Sequence, residues 1–233
     1  MLTNLLLYRT TRLSSRGGFT LVELLVVIGI IAILAGVALG PITNGIKQAK
    51  HNAAMQTGRQ IGQMCFSFST DNTANGNAYP ADTNGAAIAS DLMNANYATD
   101  PSVFLVSGQP SEALYTMPTS GTAASLATSN CSWSFTTISA ATGGGITSTA
   151  SDLTPLVYFN KGPGATMVPT PFTPNAGVAA FNLTAACPFG TDGMAVFYKG
   201  NNATYLKASN ASMATGTFVS ANNKDTQAYT VAP

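Results

Sequence analysis

Glu23 is a carboxylate placed where a carboxylate is costly. It stands near the start of an apolar run, RGGFTLVELLVVIGIIAIL over residues 16–34, and the sixteen residues from Leu24 to Leu39 carry no charge. An ionised side chain within a membrane-length segment needs a partner, because hydrocarbon offers it no water. No basic residue lies within the following turns of the same segment. Cutting the chain between Gly18 and Phe19 would create a cation. The new terminal ammonium on Phe19 would stand four residues before Glu23. It could meet Glu23 of its own chain or of a neighbouring subunit. Two buried opposite charges that meet at one stagger fix the register between packed helices.

The other residues capable of chemistry are sparse. Asp71-Asn72-Thr73-Ala74-Asn75-Gly76 has the outline of a calcium-loop opening, but no glutamate follows at the required distance, so turn chemistry is expected. His51 is the only histidine and is expected on a solvated helical face, without a catalytic role. Cys131 and Cys187 are the candidate pair for a disulfide if the body is exported, and the alternative is that these two and Cys65 are separate buried thiols. The glycine triplet Gly143-Gly144-Gly145 lacks the Lys-Ser/Thr of a phosphate-binding loop; it and Gly162-Pro163-Gly164 are expected to form flexible surface loops. No nucleophile–base pair, metal-ligand spacing or internal repeat is found. No catalytic residue, metal or cofactor is therefore assigned, and an enzyme is not expected.

Composition and charge set the background for these residues. The chain has 233 residues, enough for one domain and an anchor, with 8% charged residues and a net charge of +1. From Asp71 onward there are eight acids and four lysines, a balance that argues against a nucleic-acid surface. A charge-poor body rich in Ala, Ser, Thr, Asn and Gly fits an exported β-rich domain better than a cytosolic enzyme.

Three elements must position Glu23 and whatever the body does. Residues 1–18 form a leader with three arginines and no acid. Residues 19–42 are apolar except for Thr20 and Glu23; as a helix they reach about 36 Å, enough to cross a bilayer core of about 30 Å. That run is too long for the apolar region of a cleaved secretory signal. Basic residues flank it on both sides, so charge alone does not orient it. Gly40 and Pro41 predict a kink or local melting. From Ile42 to Phe68 the pattern becomes periodic. Ile46, Ala49, Ala53, Ile61, Met64, Cys65 and Phe68 form one stripe, and Ala53, Ala54, Gly58 and Gly62 permit close approach to a sheet.

Beyond Asp71, short β-like runs alternate with turns. Strands are expected at Ser102–Ser107, Cys131–Ile138, Leu156–Asn160, Val178–Leu183, Met194–Lys199 and Thr204–Ala208, with a four-residue hairpin loop Gly200–Ala203 between the last two. The expected architecture is α+β, a long N-terminal helix packed on an antiparallel sheet. Its segments are a leader (1–18), a helix (19–70, of which 19–42 is the membrane and assembly segment) and a body (71–233).

Gly17-Gly18-Phe19-Thr20-Leu21-Val22-Glu23, with the run LLVVIGIIAILAGVAL after it, resembles the processing motif of type IV prepilins and type II secretion pseudopilins. The resemblance implies cleavage after Gly18 by a prepilin peptidase, N-methylation of Phe19, and a role for Glu23 in neutralising a neighbour's terminus during assembly. It implies as partners other pilin or pseudopilin subunits and an inner-membrane assembly platform, and a single-pass inner-membrane location with a periplasmic body before incorporation into a filament. Where many members have proline directly after the apolar run, this chain has Gly40 and then Pro41. Some pseudopilins bind calcium in their C-terminal part; Asp192 and Asp225 would be the candidates, though they form no recognisable ligand cluster. The run AKHNAAMQTGRQIGQMCFSFSTDNTANGNAYP is also similar to prepilin-like proteins of planctomycetes and verrucomicrobia. That similarity favours a type II secretion pseudopilus over a surface pilus. The alternative is a low-copy minor pilin acting as an adhesin.

Overall fold

The computed structural model describes residues 18–105, 126, 131–138, 144–159, 172–174, 180–183, 187, 189–208, 215–217, 219, 222–225 and 227–232. The chain divides into two units, with the boundary between Lys47 and Gln48. A single helix, α1 (Leu21–Asp71), contributes to both.

In the first unit, every described residue of α1 is exposed, and an 18-residue window has mean hydropathy 2.8. A helix that is apolar all round is built for a hydrocarbon environment, and by length and composition this one can cross a membrane. The local melting expected at Gly40–Pro41 does not occur, since α1 is unbroken there. Proline removes one N–H from the ladder and leaves the bonds on either side in place. The Thr43 hydroxyl donates to the Gly40 carbonyl at 2.9 Å.

In the second unit, the helix meets a sheet. Strands β1 (Trp133–Thr137), β2 (Pro155–Phe159), β3 (Ala180–Asn182), β4 (Gly193–Tyr198), β5 (Asn202–Lys207), β6 (Thr215–Thr217) and β7 (Thr230–Ala232) form two sheets. The larger is antiparallel, in the order β5-β4-β2-β1-β7, and β3 pairs with β6 in the smaller. The expected α+β architecture is present. β1 and β2 are buried at every position, so both faces of the sheet are covered there. Aromatic and branched side chains in WSFTT, PLVYF and GMAVFY supply that core.

The helix face that packs on the sheet consists of Ala54, Gly58, Ile61, Gly62, Cys65 and Ser69. It is rotated from the expected stripe, because the small residues let the backbone approach and so decide which face goes in. Ala53 is exposed, and Met64 and Phe68 are half-buried. Gly58 faces the Trp133 ring and Gly62 the Phe197 ring.

Several local expectations are corrected. Instead of a strand from Ser102, Pro101–Phe104 forms a 3-10 helix, with Asp100 as its cap accepting from the Ser102 amide at 2.9 Å. The β4–β5 loop is shorter than expected, since Tyr198 pairs with Asn202 and leaves Lys199-Gly200-Asn201. Asn201 takes the left-handed conformation, φ 61°. A second helix, α2 (Gly85–Asn94), was not anticipated; it packs on β1 and is capped by Asn84. Gly145 is buried against the Tyr79 carbonyl instead of lying in a flexible surface loop. Residues 162–164 lie outside the described residues.

Candidate processing and assembly site

Gly18, Phe19 and Thr20 are exposed and non-helical, and α1 starts one residue later. The Thr20 carbonyl accepts the Leu24 amide at 3.3 Å, so Thr20 occupies the N-cap position. Its hydroxyl oxygen accepts the Glu23 amide at 3.2 Å. In return, the Thr20 amide and the Thr20 hydroxyl each donate to Glu23 Oε2, both at 2.9 Å. Thr20-Leu21-Val22-Glu23 is thus a complete capping box. Among the described residues Oε1 accepts no hydrogen bond.

This arrangement answers part of the problem posed by Glu23. A cation is not the only partner open to a carboxylate, and the same chain supplies two neutral donors. The T-x-x-E spacing was the signal that would have found them. The scissile candidate, the bond between Gly18 and Phe19, lies immediately outside the capped helix, in exposed non-helical chain where another protein can reach it.

The structure places the remaining candidates elsewhere. Cys131 and Cys187 are buried thiols and no disulfide joins them. The Cys131 Sγ donates to the Trp133 carbonyl at 3.3 Å. Cys65 is buried in the helix–sheet contact, and burial pushes its thiol far above the usual range. Asp71 ends α1 and accepts the Tyr97 hydroxyl at 2.6 Å. Asp225 accepts the Tyr229 hydroxyl, the Ser151 amide at 3.3 Å and the Gln227 amide at 3.0 Å. These bonds use the carboxylate to hold a loop. Among the described residues no three His, Cys, Asp or Glu side chains converge on one point.

His51 is not on a solvated face. It is half-buried and its ring stacks on Tyr205, with centroids 3.8 Å apart and planes 14° from parallel, while the Phe189 ring meets its edge at 4.7 Å. Of the described residues of α1 it is the first, reading from the N-terminus, that is not fully exposed.

Comparison with known proteins returns one family model, the prokaryotic N-terminal methylation motif, over residues 13–39. No curated protein and no solved structure matches the chain. The matched span contains Gly18, Phe19, the capping box and most of the apolar segment. The motif implies processing by a prepilin peptidase and assembly with other pilins, and a single N-terminal apolar helix fits an inner-membrane anchor. The chain carries the prepilin-type N-terminal methylation signature, which supports a type IV pilin-like protein.

Proposed function

We propose that this chain is a structural filament subunit, stored in the inner membrane and assembled after processing. Residues 1–18 are the leader, 19–42 the membrane and assembly segment, and 71–233 the body, carried on the periplasmic side. The peptidase adds water across the Gly18–Phe19 bond, giving a carboxylate on Gly18 and an ammonium on Phe19, and the terminal nitrogen then takes one methyl group from a sulfonium-class methyl donor and releases one proton. Glu23 pairs with the ammonium of a neighbouring subunit, and repetition of that head-to-tail contact without closure gives a fibre. The observation that carries this reading is the position of the Gly18–Phe19 bond, exposed and non-helical directly before a capped apolar helix within the methylation motif. Between the two fibre types we favour the pseudopilus of a type II secretion system.

Intact-mass analysis of the chain from cells with and without the prepilin peptidase tests the reading. With the peptidase, the mass of residues 19–233 plus one methyl group is expected. An intact Met1 terminus in peptidase-positive cells overturns it.

A further inference from the structure

The geometry points to a second copy of this chain as the occupant of a cleft in the second unit, docked about a two-fold axis so that Leu153 of each copy enters the cleft of the other. The cleft, about 290 Å³, opens between α1 and the turn that joins β4 to β5. That is at the lower edge of the range for a small-molecule site, about 300–1,000 Å³, and it suits a single side chain. Phe66, Leu156 and Phe197 give it apolar walls, and Lys199 and Asn201 of the turn line it as well. Leu156 and Phe197 are buried, but Phe66 is 57% exposed. Leu153 is 40% exposed, and among the described residues of the second unit these two are the large apolar side chains left in water. The turn that carries Leu153 is clasped to the cleft wall. The Lys199 amide donates to the Thr154 carbonyl at 3.0 Å, and the Gly200 amide donates to the Asp152 carbonyl at 2.9 Å. A fixed apolar knob beside an apolar hole marks a contact surface.

Charge decides what the cleft receives. Asp152 directly precedes Leu153 and its side chain is 77% exposed, while the Lys199 side chain, 3.1 Å from it, is 11% exposed. The acid thus accompanies the knob, and the cation accompanies the hole. A partner that fits both must present an apolar side chain next to a carboxylate, which is what Asp152-Leu153 of another copy presents. Knob and hole share one patch, so a contact made in one direction is made again in the other and closes at two copies. A fibre needs the two halves of its contact on different faces. This pairing is therefore separate from the head-to-tail contact proposed above, and it needs neither the cut nor the Phe19 ammonium.

Sedimentation equilibrium of full-length chains in density-matched detergent tests the pairing. Wild type is expected to dimerise. Leu153→Ser, a change at an exposed turn position, should weaken the dimer about tenfold or more, because two anchors are lost together. Lys199→Glu and Asp152→Lys each break the ion pair within the chain and set like charges across the interface, so each alone should dimerise poorly. A mixture of the two restores opposite charges at both contacts between chains, while the pair within each chain stays broken. Recovery of the dimer in the mixture is the expected result, and a role confined to one chain does not produce it. Leu153→Ser keeps the test decisive where a charge variant fails to fold. A wild-type chain that stays monomeric, or that associates only with a different filament subunit, overturns the second copy as occupant. Association unchanged by Leu153→Ser belongs to the apolar helix and overturns it too, as does a mixture no tighter than its two components. Cleavage at Gly18–Phe19, read separately by mass, stands or falls independently of all these outcomes.

Discussion

Gly62 on the helix lies so close to Phe197 on the sheet that a β-carbon added to it would fall 1.9 Å from Phe197 Cε1 and 2.2 Å from Cδ1. One turn earlier, the same addition at Gly58 would meet Trp133 at 3.1 Å. The two glycines therefore predict different outcomes for one substitution. Gly62→Ala must push a ring that is 3% exposed out of its place, and overpacking of that kind costs about 1–3 kcal/mol. Gly58→Ala needs a shift of a few tenths of an ångström, and the helix gains about 0.5–1 kcal/mol from losing a glycine. Urea unfolding of the full chain in detergent, followed by the fluorescence of Trp133, the single tryptophan, should place Gly62→Ala well below wild type and Gly58→Ala close to it. Equal midpoints for the two variants would remove the close approach of helix to β4.

Gly145 makes a contact with even less room to adjust. A β-carbon there would fall 1.8 Å from the Tyr79 carbonyl oxygen. The same strip of backbone carries the bond from the Tyr79 amide to the Ile146 carbonyl at 2.9 Å. Neither group is the end of a flexible side chain, so Gly145→Ala has to separate the two segments. The expected cost is about 2 kcal/mol or more, visible as a lower urea midpoint and as faster amide exchange at Tyr79. Unchanged exchange at Tyr79 would show that the two segments are not held together in this way.

These sites show what could and could not be seen in the residues alone. The apolar segment, the cut site and the acid announce themselves by composition and spacing. β1, β2, β4 and β5 announce themselves by aromatic and branched runs. The capping box is legible as T-x-x-E, but the charge of Glu23 points to a cation, and neutral donors satisfy a carboxylate as well. At Ser102–Ser107 the β propensity of Val103 and Phe104 lost to local chemistry, a capping Asp100 and a Pro101 at the first helical position. β7 could not have been placed: it pairs with β1 through contacts such as Thr137 to Thr230, whose hydroxyls lie 2.8 Å apart across more than ninety residues of chain. The burial of His51 against Tyr205 also needs the tertiary fold, since a polar residue on a helix gives no local sign of the rings it will meet.

Asn84 shows how little sequence is needed to start α2. Its side-chain oxygen accepts the Ala87 amide at 2.9 Å, while its backbone is extended. Replacing a capping asparagine by alanine costs about 1 kcal/mol, and aspartate caps about as well as asparagine. Asn84→Ala is therefore expected to lower the urea midpoint of the full chain, with Asn84→Asp near wild type. The opposite ranking would mean that the asparagine acts through its amide group, and not as a cap.

The Asp225–Tyr229 pair gives the body a pH dependence whose sign can be worked out on both sides. Partial burial pushes the Asp225 carboxyl up, but the hydrogen bonds from Tyr229, Gln227, Ser151 and Thr154 together outweigh it, so its pKa lies below the ordinary value. A lowered carboxyl contributes stability above its unfolded pKa, about 3.9, and loses that contribution as pH falls through the folded value. Asp91 works in the other direction: burial and then the nearby Asp82 raise it, so folding is relatively favoured as pH falls through its folded value. The acid loss due to Asp225 should therefore be steepest below about pH 4. On the alkaline side, burial and the Asp225 carboxylate raise Tyr229, and burial raises Tyr198 to about 12. Both keep their contribution below the unfolded tyrosine pKa of about 10 and lose it above. Urea midpoints measured across the pH range should form a plateau between these limits. Asp225→Asn should flatten the acid limb below about pH 4, and Tyr229→Phe should shift the alkaline limb while preserving the ring packing. An acid limb of unchanged slope in Asp225→Asn would show that the carboxylate does not hold this loop, and its oxygens would then be open to another ligand.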